Sequence, residues 1–177
     1  DMALDKYKPY SKIEEPRLSK KELIMARIEL LIKAKRYDDA LRNLNNYENQ
    51  YGSTQKSDLY KGQMLQKTGK NEEALEYLDK SLKEEATVNA FNAKGDALYE
   101  LKRYDEAFSY WEKHLELDST WLDSYFSMGF CYEEIGEYQK AYETWKTVSE
   151  ILTQRGLVIE AGWPKEMAEK CLRKLEK

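Results

Sequence analysis

Lys102-Arg103-Tyr104-Asp105-Glu106-Ala107-Phe108 decides the fold, because the chain carries four versions of it. The others are Lys35-Arg36-Tyr37-Asp38-Asp39-Ala40-Leu41, Gly69-Lys70-Asn71-Glu72-Glu73-Ala74-Leu75 and Gly136-Glu137-Tyr138-Gln139-Lys140-Ala141-Tyr142. Ala40, Ala74, Ala107 and Ala141 are 34, 33 and 34 residues apart, and 12 residues before the last three stand Gly62, Gly95 and Gly129. Self-similarity at such a period marks a stack of small units, each able to bury its apolar face only against its neighbours.

The units read as helices. Tyr138, Ala141, Tyr142, Trp145 and Val148 share one helical face, with Glu137, Lys140, Glu143 and Lys146 elsewhere. A glycine inside a helix costs about 1 kcal/mol against alanine. Close approach of two antiparallel helices within a unit offsets that cost at Gly62, Gly95 and Gly129, and the alanine of the second helix serves the same end. Trp111 and Trp145 are then expected to fill the gaps between neighbouring units.

The pattern Tyr125-x-x-Met128-Gly129-x-x-Tyr132 followed by Ala141-x-x-x-Trp145 resembles the tetratricopeptide repeat family, as does Phe91-x-x-Lys94-Gly95-x-x-Leu98 followed by Ala107-x-x-x-Trp111. The resemblance covers about residues 21–155. It implies an all-α fold, a right-handed superhelical solenoid of antiparallel helix pairs, in four repeats of about 21–54, 55–87, 88–121 and 122–155. Asp58 stands where an aromatic is usual, Ile28 replaces the glycine of the first repeat, and Ser119 takes the place of a closing proline.

At the ends the period stops. Residues 1–18, with Pro9 and Pro16, read as an extended arm, and Ser19 with Glu22 reads as a capping box opening the first helix. Residues 156–177 read as connector and cap. The connector runs over Thr153–Trp163, with room for a helical turn around Leu157–Ala161, and Pro164 starts a capping helix over 164–177 with Met167, Ala168, Cys171, Leu172 and Leu175 on its apolar face.

Composition narrows the function. Charged residues make up 35% of the chain, yet 14 tyrosines and four tryptophans require a core. A net charge of -4 argues against nucleic-acid binding, which needs a basic surface. No run of about eighteen apolar residues exists to span a membrane, and a cytoplasmic setting is the expectation. Cys131 and Cys171 fit neither a disulfide framework nor a zinc site, and read as core residues. His114-x-Glu116 lacks the cysteine pair of a deaminase zinc motif. Gly62 and Gly69-Lys70 have the wrong spacing for a phosphate loop, with Asn71 where Ser or Thr belongs. No catalytic constellation appears, so the chain is read as a non-enzyme with no metal or cofactor.

The resemblance implies instead a protein-binding adaptor, co-chaperone-like, with a concave face lined by the first helices of successive repeats. By register that face holds Met25, Glu29, Leu59 and Gln63 in the first two repeats. The third contributes Asn89, Asn92, Asp96, Tyr99 and Glu100, and the fourth Asp123, Phe126, Phe130, Glu133 and Glu134. Between Val88 and Arg155 stand 13 acidic and 7 basic residues, a net of -6 against +2 for the remainder. Such a face suits a protein or peptide carrying Lys or Arg and an apolar anchor, with asparagines to bond an extended backbone; equally, the charges serve only to keep the face wet. Met25, Glu29, Asn89 and Ala93 stand where some family members carry a Lys, Arg and Asn clamp for acidic chaperone tails, so that partner is not expected. In an alternative reading the basic arm Lys6-Tyr7-Lys8-Pro9-Tyr10-Ser11-Lys12 occupies the face, as autoinhibition or as arm exchange in a homo-oligomer.

Overall fold

The computed structural model describes residues 18–176, so the arm and its proposed contacts lie outside the described residues. Among the described residues there are nine α-helices and no strand, the all-α helix-pair solenoid expected. They fall into two compact units.

The first unit, up to Gly52, holds α1 (Lys20–Lys33) and α2 (Tyr37–Tyr51). Ser19 caps α1: its hydroxyl accepts from the Glu22 amide, and the Glu22 carboxylate accepts from the Ser19 amide at 2.7 Å. Two of the exposed first-turn donors of the helix are thereby satisfied. Ile28, Ala40, Leu44 and Tyr47 are its buried residues.

The second unit, from Ser53, contains α3 (Gln55–Lys67), α4 (Asn71–Glu84), α5 (Val88–Glu100), α6 (Tyr104–Leu117), α7 (Leu122–Glu134), α8 (Tyr138–Gln154) and α9 (Val158–Leu175). α3 pairs with α4, α5 with α6 and α7 with α8, while the first helices also meet one another, α3 with α5 and α5 with α7.

One turn closes every pair. Five residues before the alanine stands a left-handed residue, Lys35 (φ 56°), Gly69 (φ 80°), Lys102 (φ 61°) or Gly136 (φ 81°). The amide of the residue after it bonds back to the preceding helix, as from Arg103 to the Leu98 carbonyl and from Glu137 to the Tyr132 carbonyl, both at 2.9 Å. The amide of the alanine then bonds to the carbonyl of that same residue. The repeated heptapeptide is the sequence of this turn.

Behind the turn, Gly95 and Gly129 admit a side chain rather than a bare backbone. A Cβ on Gly95 would lie 2.5 Å from the Trp111 ring nitrogen, and one on Gly129 would lie 2.7 Å from the Trp145 ring. Each tryptophan therefore packs inside its own pair, over the glycine opposite, rather than only between units, and Trp145 in addition meets Trp163 of the following helix at 5.3 Å. At Gly62 backbone is among the nearest neighbours, with the Ala74 carbonyl 3.2 Å from an added Cβ and the Leu78 side chain at 2.6 Å.

The C-terminal end differs from the reading of a long connector and a helix beginning at Pro164. α8 runs to Gln154 and α9 starts at Val158, so Pro164 lies inside α9. The turn between them is the same one again: Gly156 has φ 77°, the Leu157 amide bonds to the Leu152 carbonyl at 2.9 Å, and the Ala161 amide bonds to the Leu157 carbonyl. An interior proline forfeits one helical bond and costs about 3 kcal/mol. Tertiary packing offsets it here, because Ala161, Pro164, Ala168 and Cys171 are all buried and α9 packs along α8. Ser149 of α8 also donates to the Ala161 carbonyl at 3.1 Å.

Candidate functional site

α3, α5 and α7 meet along one side of the second unit and leave a cleft of about 240 Å³ lined by Gln66, Lys67, Asp96, Tyr99, Glu100, Ser127 and Phe130. Four of these residues, Asp96, Tyr99, Glu100 and Phe130, were expected there from register. Gln66 and Lys67 end α3, and Ser127 lies one residue from the expected Phe126; register alone gave no reason to choose them.

Asp96 is largely enclosed. Its Oδ1 accepts from the Trp111 indole and from the Ser127 hydroxyl, both at 3.0 Å. Burial holds its carboxyl above the ordinary carboxylate range, although the Ser127 and Trp111 bonds pull it down. Asn92 lies one turn earlier, and its Oδ1 accepts from the Ser124 hydroxyl at 3.0 Å. The expected contact residues Asn92 and Asp96 thus form a polar seam fastening α5 to α7. Ser124 is shared with the Nδ1 of buried His114, whose Nε2 is buried without a partner. Asn89 is exposed at the start of α5.

The remaining carboxylates divide. Glu134 accepts from Tyr99, Tyr104 and Lys102, which brings its carboxyl down to about 2 and pushes the Tyr99 hydroxyl up to about 12. Glu133 accepts from the Trp145 indole at 2.8 Å and from Lys170 of α9 at 3.0 Å. Both are already matched with cations. Asp123, exposed, accepts a long bond from the Trp121 indole at 3.3 Å, and Glu100 is exposed at the cleft. The carboxylates of this face without a cation partner among the described residues are Asp96, Glu100 and Asp123, and Lys67 lines the cleft with Asp96 and Glu100.

Phe126 and Phe130 sit in an aromatic group that the sequence reading split between helix and connector. Phe130 is 5.0 Å from Trp145 and 6.0 Å from Trp163, and Phe126 is 5.9 Å from each of those rings. Trp163 was missed because its stretch was read as connector; the Gly156-to-Ala161 spacing, identical to that of the four turns, was the available signal. In the first two repeats Met25, Glu29 and Gln63 are half-buried, while Leu59 is buried and so corrected as a face-lining residue. Cys131 and Cys171 are buried, and burial pushes the Cys131 thiol up to about 11. Among the described residues no helix is long and apolar enough to cross a membrane, and no cluster of His, Cys, Asp and Glu is placed to hold a metal ion.

Two tetratricopeptide repeat models match the chain, one over residues 59–120 and the other over residues 123–150, together just over half of it. No curated protein sequence matches. Among solved structures, a crystal structure of MamA protein superposes with a TM-score of 0.61 at 18% identity, covering 87% of this chain and 92% of that one. A MamA RS-1 double mutant gives 0.63 at 17% identity over 89% and 97%. The 41-end form of MamA from Desulfovibrio magneticus RS-1 gives 0.63 at 16% identity over 90% and 99%. At these identities the likeness is one of fold.

Proposed function

We propose a role for a chain that belongs to the tetratricopeptide repeat family and is therefore a protein–protein interaction or scaffold module: it holds a partner segment along α3, α5 and α7 of its second unit. The segment carries a Lys or Arg beside an apolar side chain. The observation that supports this reading is the 240 Å³ cleft in which Asp96 and Glu100 stand beside the exposed ring of Phe130. The carboxylates raise the encounter rate with a cation, and the ring supplies apolar area to hold its neighbour. The chain is proposed as an adaptor, without a reaction of its own.

Asp96 is unsuited to a test because it also holds Trp111 and Ser127 in place. Glu100 and Asp123 are exposed, and reversing both with Glu100→Lys and Asp123→Lys leaves the packed seam intact. Partners captured from cell extract by the wild-type chain should be lost from the double variant, whose helicity is checked by circular dichroism. Equal capture by both proteins would reject this face as the binding site.

A further inference from the structure

The first helices of the repeats end with α7, but the apolar wall of the cleft continues. Phe130 lines the cleft on one side, and on the other its ring lies 6.0 Å from Trp163 of α9. One helical turn before Trp163 stands Ile159. Phe126, Phe130 and Trp163 form one aromatic stripe crossing from α7 to α9, and Ile159, four residues from Trp163, stands next to its end on the surface of α9. The stripe is exposed, with Phe130 44% and Trp163 45% accessible, and Ile159 beside it is 90% accessible. A contiguous apolar patch rimmed by polar residues marks an interaction surface, whereas single exposed apolar residues do not.

The stripe is also held rigid. Trp145 lies buried beneath it, edge-on to Phe130 at 77° and to Trp163 at 75°. The Trp145 indole is fixed by Glu133, and Glu133 by Lys170 of α9, which fastens α9 to α7. Rings that are already immobile lose little freedom when a ligand packs on them. Charge is distributed unevenly around the stripe. Glu133 is matched by Lys170, whereas Asp96 and Glu100 face the cleft on the other side of Phe130.

We infer that Trp163 and Ile159 of α9, with Phe126 and Phe130 of α7, form an anchor subsite for a bulky apolar side chain of a partner protein's peptide segment. The Lys or Arg of that segment lies next to the anchor, on the cleft side of Phe130. This rests on the partner-binding reading above and extends it to a helix outside the four repeats. A mixed apolar and cationic segment fits because Phe130 is a wall of both the acidic cleft and the aromatic stripe.

The probe is a set of ten-residue synthetic peptides with Trp, Phe or Leu beside Lys or Arg in a Gly/Ser background. Each has two controls, one with the apolar residue changed to Ser and one with the cation changed to Glu. Binding is read by fluorescence anisotropy on the full chain, with its mass followed by light scattering. For the wild type, loss of the apolar residue should weaken binding about tenfold, the scale of a single buried anchor. Trp163→Ala should abolish that apolar preference while keeping the preference for Lys over Glu, and Glu100→Lys should do the reverse. Ile159→Ser, at a side chain too exposed to support the fold, should reduce the apolar preference even if Trp163→Ala fails to fold. An apolar preference unchanged in both α9 variants overturns the subsite and leaves the cleft reading standing. Absence of any selective peptide for the wild type overturns both. A doubled mass abolished by Ile159→Ser assigns the stripe to a second copy of the chain and overturns the peptide subsite.

Discussion

The helix pair of the first unit and the α5/α6 pair of the second share a turn and fill the space behind it differently. Both turns carry a left-handed lysine, Lys35 or Lys102, and both close on a leucine carbonyl at 2.9 Å, that of Leu31 or Leu98. Twelve residues before the alanine stands Ile28 in one pair and Gly95 in the other, and four residues after it stands Leu44 or Trp111; all four are buried. Volume is traded across the pair: bulk absent from the first helix appears on the second. The trade has a polar consequence. Leucine needs no hydrogen-bond acceptor, but a buried indole does, and Asp96 supplies it to Trp111 as Glu133 does to Trp145. Part of the acidity along α5 and α7 is therefore structural, set by the choice of tryptophan.

Transplanting one solution into the other tests this trade and has the largest expected effect. Trp111→Leu alone leaves a cavity and removes the Asp96 donor, and should cost about 2–4 kcal/mol. Gly95→Ile alone drives a branched side chain into the Trp111 ring and should cost about 1–3 kcal/mol. The double variant recreates the Ile/Leu pair of the first unit, so its cost in urea denaturation should fall below the sum by about 1 kcal/mol or more. Strict additivity would end the volume-trade account.

Seven residues after the alanine the two pairs differ again, with Tyr47 in the first and His114 in α6, both buried. Burial holds the His114 imidazole below its ordinary 6.5, although the nearby Asp118 and Asp123 charges pull it upward. With the folded value depressed, the unfolded chain takes up the extra proton first. Stability is then fully present above about pH 6.5 and is lost as pH falls from there through the folded value. A His114→Gln variant should flatten this part of the stability profile relative to wild type. Parallel profiles for the two proteins would remove His114 as the cause.

The smallest effect lies in the turns. A non-glycine residue in the left-handed region is strained, so Lys35→Gly should raise the midpoint of thermal unfolding slightly, by about 0.5 kcal/mol in stability. Lys102→Gly should not, because Lys102 is also an ion-pair partner of Glu134. A gain of equal size at both positions would show that the Glu134 contact is without consequence, as many exposed pairs are.

Legibility followed the range of the interactions involved. The period was readable because the same heptapeptide recurs in the chain, and the helical faces because their apolar residues lie within a dozen residues of one another. The candidate face was readable as a set of positions but not as a state. Asn92 and Asp96 looked free in the sequence, yet their partners Ser124 and Ser127 are 32 and 31 residues away. Glu134 looked like an open charge, and its partners Tyr99 and Lys102 lie 35 and 32 residues before it.

The sequence by itself determined that this chain is built of repeated helix pairs, because helical periodicity acts between near neighbours and the same pattern recurs in each pair, while what each glycine faces was decided by the tryptophan opposite. Tertiary structure decided that α9 runs through Pro164, since only packing against α8 outweighs an interior proline. It also decided that Trp163 reaches Phe126 and Phe130, and which carboxylates of the face are matched by cations. Those outcomes depend on side chains brought together across about one repeat, where each pairing competes with burial and with other donors.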